Sequence, residues 1–513
     1  MPAIQREVRP SPHRLFQASI RDRRDATADT LSLLLATGGD RRIWPDEATR
    51  RNRYGTLAYP ASDEISFAST TASNLSSAGF LAAAADLERF AALDAPYPVA
   101  FDHWFTDLRG RIARNFGNPE ADIVLAPSGT DVELIAACLF AGLSERLLTN
   151  VLIAPDETGS GVPLAALGCH FADCSALGHV VQQGARLDGL AHQRILVRTV
   201  AIREATGEPR RQSEIDADAA AVVEAELKQG RDILLHILDT SKTGLTGVSR
   251  QAARQLSASA PGRVRVIVDA CQLRCPPSTV KQDIADGFAV AITGSKFVAG
   301  PPFSGALMIP AALAEEFAER SRLPAGLSAY TAARDWPAAA RPLAHLDFAS
   351  EHNLGLGLRW SAALAHLDRY CEVPESRQAL IKAEFARIVR SRVDAARDML
   401  LHGDDAGDHQ FSRAIVPLTI VERDGRFASF ETCQKIHARM RESGNGPVCH
   451  MGQAVRLGSR GVLRIAASAA DVVEASARMT AGQTADQALG DVAAKIDILF
   501  DKLSAVIRET KGV

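Results

Sequence analysis

The chain has 513 residues, of which 46% are hydrophobic and 23% charged, and its formal net charge is -3. This length exceeds one ordinary domain, and the charge lacks the basic surplus typical of proteins that bind nucleic acid or anionic membranes, so neither partner is expected. The start of the chain has arginines but no apolar signal segment, and no apolar run approaches the ~20 residues of a membrane helix. We therefore expect a cytoplasmic protein.

The eight cysteines are scattered, several of them within apolar runs, which is typical of reduced, cytosolic proteins. No CxxC pair occurs, and no cysteine and histidine cluster has zinc-site spacing. The nearest cluster, Cys169 and His170 with Cys174, is better explained by buried packing. No metal site is predicted.

The first 100 residues predict an N-terminal extension that contributes to the smaller domain or to the rim of the active site. They contain a possible helix near 26–38, a Ser/Thr-rich loop from Ser66 to Phe80 and an Ala-rich helix pattern from Leu81. We expect the Ser/Thr-rich loop to help shape a substrate pocket.

The chain from about 120 to 310 alternates short apolar bursts with helical stretches. The bursts are "ADIVLAPSGT", "NVLIAP", "ILVRTVAI", "DILLHILD", "VRVIVDA", "FAVAITGSK" and "GALMIP". Continuous apolar strands separated by helices are typical of an α/β domain with a mostly parallel sheet that helices cover on both faces. In such sheets ligands bind beyond the carboxyl ends of the strands.

The remainder predicts a smaller α+β domain. Its elements are helices within "WSAALAHLDRY" and "RQALIKAEFARIVRSRVDAARDML", a strand in "SRAIVPLTIV", a helix around 428–441, a strand in "GVLRIAAS" and a closing helix over 484–509. The predicted division is therefore an extension over 1–100, a large domain over 101–350 and a small domain over 351–513.

A strand, a turn and a helix are predicted around Ser128, Gly129 and Thr130. The backbone amides at the start of the helix, with the two hydroxyls and the close approach that glycine permits, would suit a phosphate. Serine and threonine before a helix are also ordinary N-caps, so this motif alone decides nothing.

Two further residues follow buried strands. Asp269 ends "VRVIVD", with Gln272 three residues on, and Lys296 closes Thr293-Gly294-Ser295-Lys296. A carboxylate could keep a heterocyclic nitrogen protonated, and a buried lysine could supply a neutral amine for a Schiff base. Each also has an ordinary interpretation, as a turn residue and as a surface lysine. Their joint order, phosphate turn, acid and lysine, matches the needs of pyridoxal 5'-phosphate (PLP).

The chain thus resembles the fold-type I PLP-dependent enzymes, and among them the class V aminotransferase and cysteine desulfurase branch. The matching residues are Ser128-Gly129-Thr130, Asp269 with Gln272, and Thr293 to Lys296 followed by "GPPFSGAL". The resemblance covers roughly 100–480. It implies a fold-type I architecture, PLP as cofactor, an amino acid as substrate and a homodimer.

The resemblance also assigns individual roles. Thr293 and Ser295 would complete the phosphate site, Ser241 would replace an asparagine near the cofactor's phenolic oxygen, and Arg464 in "LRIAAS" would bind the substrate carboxylate.

The chain departs from the branch at three places. Glu157, Thr158 or Gly159 stands where a ring-stacking histidine or aromatic residue is expected, with His170 and Phe171 as weak substitutes. Ser295 stands where desulfurases often have histidine. The Gly-Thr that in many relatives reaches the neighbouring subunit's phosphate is not evident, and Ser350 is a poor replacement.

Transamination is the leading predicted reaction, with Lys296 as the base that moves a proton at the substrate's α-carbon. The alternatives are a PLP-dependent lyase, including C–S or other β/γ-elimination and desulfuration, and a C–C bond-forming or decarboxylating enzyme. Desulfuration needs a cysteine on a mobile loop, and neither Cys433 nor Cys449 lies in one. A non-catalytic relative would not need to retain Asp269, Lys296 and Arg464 together.

Overall fold

The structure is a computed structural model, and it describes residues 28–92, 96–341, 346–402, 414–422 and 424–510. The α-helices of these ranges are α1 (Ala28–Leu35), α2 (Ser77–Ala92), α3 (Tyr97–Asn115), α4 (Gly129–Ala141), α5 (Val162–Ala166), α6 (Gln212–Lys228), α7 (Arg250–Ser259), α8 (Pro277–Ala285), α9 (Ala311–Arg320), α10 (Leu354–Glu372), α11 (Glu375–Ala395), α12 (Phe430–Met440), α13 (Ala469–Thr480), α14 (Ala485–Ala488) and α15 (Gly490–Thr510).

The strands form two sheets. They are β1 (Ile65–Phe67), β2 (Asp122–Ala126), β3 (Leu148–Ile153), β4 (Ile195–Val200), β5 (Asp232–Leu238), β6 (Val264–Ala270), β7 (Ala289–Thr293), β8 (Gly305–Ile309), β9 (Met399–Leu401), β10 (Ile415–Ile420), β11 (Cys449–Leu457) and β12 (Arg460–Ala466). None of the helices in the described ranges is long and apolar enough to cross a membrane.

The larger sheet has seven strands in the order β2-β8-β7-β6-β5-β3-β4. β8 runs antiparallel to β2 and β7, and the other neighbours are parallel. Successive side chains of a strand point to opposite faces. Accordingly Ile233 and Leu235 pack in the core beneath one layer of helices, and Leu234 packs in the core on the other face. The predicted α/β class, with its mostly parallel covered sheet, is confirmed.

The smaller sheet has the order β1-β11-β12-β10-β9. β1 pairs parallel with β11, so the N-terminal segment supplies an edge strand to a sheet whose other strands follow α11. The apolar residues of this sheet share a core with α11, α12, α13 and α15. α10, in contrast, packs in the core of the larger sheet through residues such as Leu356 and Leu364. The division at 100 and 350 remains a prediction.

The strand predicted in "GVLRIAAS" is present as β12. The structure adds β11 before it, and the two pair antiparallel around a turn at Gly458, whose φ of 57° suits glycine. The predicted closing helix is divided into α14 and α15, because Leu489 ends the first one after a single turn. The predicted helix near 26–38 begins outside the described residues.

Candidate active site

A cavity of about 480 Å³ lies where the carboxyl ends of the larger sheet meet the N-terminal segment and the smaller sheet. Side chains or backbone of eight residues predicted from the sequence line it: Ser128, Gly129, Thr130, Asp269, Gln272, Thr293, Ser295 and Lys296. Parallel strands bring their carboxyl ends to one edge, which explains why residues so distant in sequence converge here.

The Ser128 turn opens the cavity at the start of α4. Ser128 is the N-cap, and its hydroxyl accepts a hydrogen bond from the amide of Asp131 and donates one, 2.5 Å long, to the Asp131 carboxyl group. The first amides of a helix have no acceptor within the helix. A side chain at Gly129 would place its Cβ 2.8 Å from Cys271 Sγ. Glycine therefore leaves the turn open to an anion.

Asp269 is the penultimate residue of β6, and its carboxylate accepts a hydrogen bond of 3.0 Å from the amide of Cys271. Two other buried groups line the cavity near it. Burial and the nearby Asp269 charge raise the pKa of Glu133 to about 8, and burial lowers the pKa of His236 to about 3. Their closest atoms, His236 Nε2 and Glu133 Oε1, are 3.5 Å apart. Both groups are therefore largely uncharged near neutral pH.

Lys296 follows β7 on a loop that the N-terminal segment fixes. The amide of Ser73 donates to Ser295 O at 3.1 Å, and its hydroxyl donates to Lys296 O at 2.6 Å. The Gln272 amide group donates to Thr70 O at 2.9 Å. Thr70 to Ala72 also line the cavity, as expected for the Ser/Thr-rich loop.

Thr293 and Ser295, on either side of Gly294, reach the cavity as well. The Thr293 hydroxyl donates to Cys271 O at 2.7 Å, and its lone pairs remain available as acceptors.

Ser241 does not line the cavity. It is buried, and its hydroxyl donates to Glu157 Oε2 at 2.6 Å. Arg203 and Thr243 also contact this carboxylate. Burial alone would raise the pKa of Glu157, but Arg203 and the hydroxyls hold it below its ordinary value. Glu157 thus carries a stable negative charge in the wall of the site.

Arg464 lies behind the cavity wall. Its side chain is buried, and its Nη atoms donate to Lys242 O and Thr71 Oγ1, each at 3.3 Å, and to Gln453 O. Lys242, Thr71 and Gln453 themselves line the cavity. Burial lowers the pKa of Arg464 to about 9. Lys242, Thr71 and Gln453 therefore lie between Arg464 and the cavity.

The structure places several residues in the cavity that the sequence interpretation missed. They are Arg42, Arg53, Tyr54, Glu133, His236, Lys242, Phe303, Phe430, Gln434, His437 and Arg441. The sequence does contain a signal for some of these cavity residues. His236 is a lone polar residue in an apolar strand, and Lys242 adjoins Ser241. A helical spacing relates Phe430, Gln434, His437 and Arg441. Nothing in the sequence around Arg42 indicated that this residue would line the cavity.

The residue that would stack on a cofactor ring stays unassigned. Glu157, Thr158 and Gly159 line the cavity, but His170 and Phe171 do not. The His170 ring is hydrogen-bonded to the Tyr330 hydroxyl at 2.8 Å, and Phe171 packs against the Tyr330 ring.

Ser350 does not reach the cavity, and its hydroxyl donates to His352 O at 3.0 Å. Within the described ranges no group of His, Cys, Asp and Glu is placed to hold a metal ion.

No protein-family model matches the chain, and no curated protein matches it. Solved structures do match. The Escherichia coli cysteine desulfurase CsdA is 13% identical, over 87% of this chain and 95% of that chain, with a TM-score of 0.52. The cysteine desulfurase of Thermococcus onnurineus NA1 is 12% identical, over 86% and 95%, with a TM-score of 0.52. Oryza sativa TDC, solved with PLP and tryptamine, is 12% identical, over 98% and 90%, with a TM-score of 0.51.

At these identities the likeness establishes the fold. The chain has the fold-type I architecture of PLP-dependent enzymes, with a large, mostly parallel sheet and a smaller second sheet. The likeness to the desulfurase branch that the motifs indicate is confirmed at the level of the fold.

Proposed function

We propose that this protein is a PLP-dependent enzyme that acts on an amino acid through a covalent bond between the cofactor and Lys296. One observation carries the proposal: the Ser128–Thr130 turn, Asp269 and Lys296 line the same cavity. These are the three groups that a phosphate, a pyridine nitrogen and an aldehyde require.

The residues present fit this cofactor. The amides at the start of α4 and the hydroxyls of Ser128 and Thr130 would bind its phosphate, with Thr293 and Ser295 beside them, and Gly129 leaves the necessary room. The Asp269 carboxylate would hold the proton on the ring nitrogen. When bound, PLP supplies an electron sink for negative charge that develops at the α-carbon of an amino acid.

Arg42, which lines the cavity from the N-terminal segment, would support the phosphate site. The single Nε–H of Arg42 is shared by both carboxylate oxygens of Asp40, and Arg42 Nη2 donates to one of them, which fixes the guanidinium group. Arg42 also lies over the ring of Phe303, 5.1 Å from its centroid. A fixed guanidinium group at the cavity wall is suited to a phosphate oxygen.

We propose that Lys242, rather than Arg464, reaches the substrate's α-carboxylate. Lys242 lines the cavity, and Arg464 donates to its carbonyl oxygen. Burial, with the charges of Arg464 and Lys296, lowers the pKa of Lys242 to about 7. A bound carboxylate would favour the charged form of this amine. Arg464 is then a positioning residue for the loop that carries Lys242.

The reaction we propose is transamination, with Lys296 Nζ moving a proton at the α-carbon. The cysteines argue against desulfuration. All eight lie in the described residues, and seven are buried, Cys371 being partly exposed. Cys433 lies on α12, and burial and Glu422 raise the pKa of its thiol to about 12. Cys271 lines the cavity, but burial raises the pKa of its thiol well above the ordinary value. A lyase without a catalytic cysteine is the alternative.

The test is an absorption spectrum of the purified protein and of Lys296→Ala, both with added PLP. We expect a visible band in the wild type that the variant lacks, because only a lysine bound to the cofactor gives it. Amino acids are then added, and the products are separated by mass. A keto acid formed with the bound cofactor converted to its amine supports transamination, whereas release of ammonia with the keto acid supports a lyase. A wild type that stays colourless contradicts the proposal.

The homodimer implied by the resemblance is part of this proposal. Sedimentation of the purified protein measures it, and a monomer that retains full activity would contradict it.

A further inference from the structure

One wall of the cavity is formed by α12 and by Arg441, the residue that follows it. Phe430, Gln434, His437 and Arg441 all line the cavity, at successive spacings of four, three and four residues. Residues with this spacing share one face of a helix. Arg53, from the N-terminal segment, lies on the same cavity and is exposed.

Arg441 is held in place against the N-terminal segment. Gly55 has a φ of 83°, and a Cβ there would be 2.6 Å from Arg441 Nη1. The guanidinium group therefore packs where only glycine leaves space. Its Nε is buried and has no hydrogen-bond partner among the described residues. Burial and the nearby charge of Arg51 lower its pKa, and within the part of the chain that the structure describes no carboxylate is paired with Arg441.

His437 adds a neutral polar neighbour. Its ring is buried, with 8% of the residue exposed, and it is hydrogen-bonded through Nε2 to Met451 O at 3.2 Å. Burial, Arg441 and Arg464 lower the pKa of His437 to about 3. The charge on this wall therefore comes from arginine. The neutral imidazole donates its one N–H to Met451 O and has none left for an anion.

Some of the charged side chains that line the cavity are already paired within the protein, and the others are available to a ligand. The cations that line the cavity are Arg42, Arg53, Lys242, Lys296 and Arg441, and the acids are Glu133, Glu157 and Asp269. Arg42 is paired with Asp40, Glu157 with Arg203, and Glu133 is largely uncharged. In the proposed function Lys296 and Asp269 serve the cofactor, the start of α4 and Arg42 bind its phosphate, and Lys242 binds the α-carboxylate. Arg53 and Arg441 are then the cations of the cavity to which no anion is assigned.

We infer that the substrate is an amino acid whose side chain ends in a second anionic group, and that Arg441, with Gln434, binds that group. This inference rests on the proposed function, because it assigns Lys296 and Asp269 to the cofactor. A guanidinium group without an acid partner at a cavity wall stabilises an incoming carboxylate or phosphate by charge-assisted hydrogen bonds. Arg441 is thus a specificity-determining residue.

The first experiment measures binding without chemistry. Succinate, 3-phosphonopropionate and propionate lack an amino group, and their affinities for the purified full-length protein are measured by calorimetry. We expect both polyanions to bind at least ~10-fold more tightly than propionate, the size of effect that one charge-assisted hydrogen bond gives. The ratio of the two polyanion affinities then distinguishes a carboxylate from a phosphate side chain. Equal affinity for all three compounds would overturn the inference.

Matched variants locate the site. Arg441→Gln should weaken the binding of succinate about 10-fold and leave that of propionate unchanged, and Arg441→Lys should recover part of the loss. Lys435→Gln removes a positive charge from an exposed position of the same helix, outside the cavity, and should change neither affinity. An equal loss for succinate and propionate in Arg441→Gln would mean a structural role and would overturn the assignment.

The two proposals can fail separately. A protein that prefers succinate and binds no PLP would contradict the proposed function and leave the anion site standing. A coloured protein that consumes L-asparagine as readily as L-aspartate, and L-glutamine as readily as L-glutamate, would overturn the substrate inference alone.

Discussion

Single charged side chains around the cavity have different neighbours, and their substitution should have different consequences. Lys242 lines the cavity, whereas Arg464 is buried behind it and donates to two carbonyl oxygens. A residue that only contacts substrate can be removed without leaving buried acceptors unsatisfied. A buried arginine that satisfies carbonyl groups cannot.

We therefore predict opposite phenotypes for two alanine variants. Lys242→Ala should raise the substrate concentration for half-maximal rate about 10-fold or more and leave the melting temperature nearly unchanged, because a charge-assisted hydrogen bond to substrate is lost. Arg464→Ala should lower stability by about 3 kcal/mol, because carbonyl groups are left unpaired. Steady-state kinetics and thermal unfolding measure the two effects. If Lys242→Ala lowers the melting temperature and Arg464→Ala only raises KM, then Arg464 contacts substrate and Lys242 has the structural role.

At the scale of elements, the N-terminal segment is attached to both the cavity and the smaller sheet. Glu64 joins it to β11, since its carboxylate contacts Arg51, accepts a hydrogen bond from Asn74 at 2.9 Å and lies 2.8 Å from His450 Nε2. Burial alone would raise the pKa of Glu64, but His450 and Arg51 lower it from 4.5 to about 2.

This shift predicts a pH-dependent contribution to stability. A carboxylate whose folded pKa is depressed stabilises the fold above its unfolded pKa and loses that effect as the pH falls through the folded value. The stability difference between wild type and Glu64→Gln should be full above about pH 4.5 and should shrink as the pH approaches about 2. Urea unfolding midpoints over this range measure it.

A suitable control is Asp497→Asn, which breaks the exposed ion pair with Arg392. Exposed pairs contribute little, so this variant should stay within about 1 kcal/mol of wild type at every pH. A Glu64→Gln difference that is constant with pH would contradict the role given to the Glu64 carboxylate.

At the scale of the whole molecule, the cavity is bounded by three parts of the chain: the N-terminal segment, the larger sheet and α12 of the smaller unit. A ligand that fills it contacts all three. Because a ligand that binds only the folded state stabilises that state, occupation of this cavity should be visible in global unfolding.

We predict that PLP raises the melting temperature in a concentration-dependent way, by an amount equivalent to about 2.7 kcal/mol at roughly a hundredfold excess over Kd. Pyridoxal, which lacks the phosphate, should give a smaller rise because the start of α4 has no anion to bind. Calorimetric scans of the cofactor-free protein with each compound provide the measurement. An equal rise with pyridoxal would argue against the phosphate role of Ser128 to Thr130.

The sequence by itself determined the larger sheet and the residues at the ends of its strands. Apolar bursts predict buried strands because a parallel sheet is covered on both faces. Asp269 lies at the carboxyl end of one such strand, and Lys296 lies three residues beyond the end of the next. Because these strands are parallel, their carboxyl ends lie at one edge of the sheet, and the two residues therefore lie near each other. The turn at Ser128 was equally local, since an N-cap and a helical stripe are adjacent in the chain.

Only the tertiary structure decided which side chains share the cavity across distant segments. Lys242 rather than Arg464 lines it, and Arg441, which follows the last residue of α12, lines it from the C-terminal part of the chain. β1 pairs with β11, some 380 residues later, although its three residues carry no distinctive pattern. Local periodicity assigns a residue to an element and a face, but the neighbour of that face is set by long-range packing. That is why the residues at the ends of the strands could be predicted, whereas the contribution of Arg441 and Lys242 to the cavity became evident only in three dimensions.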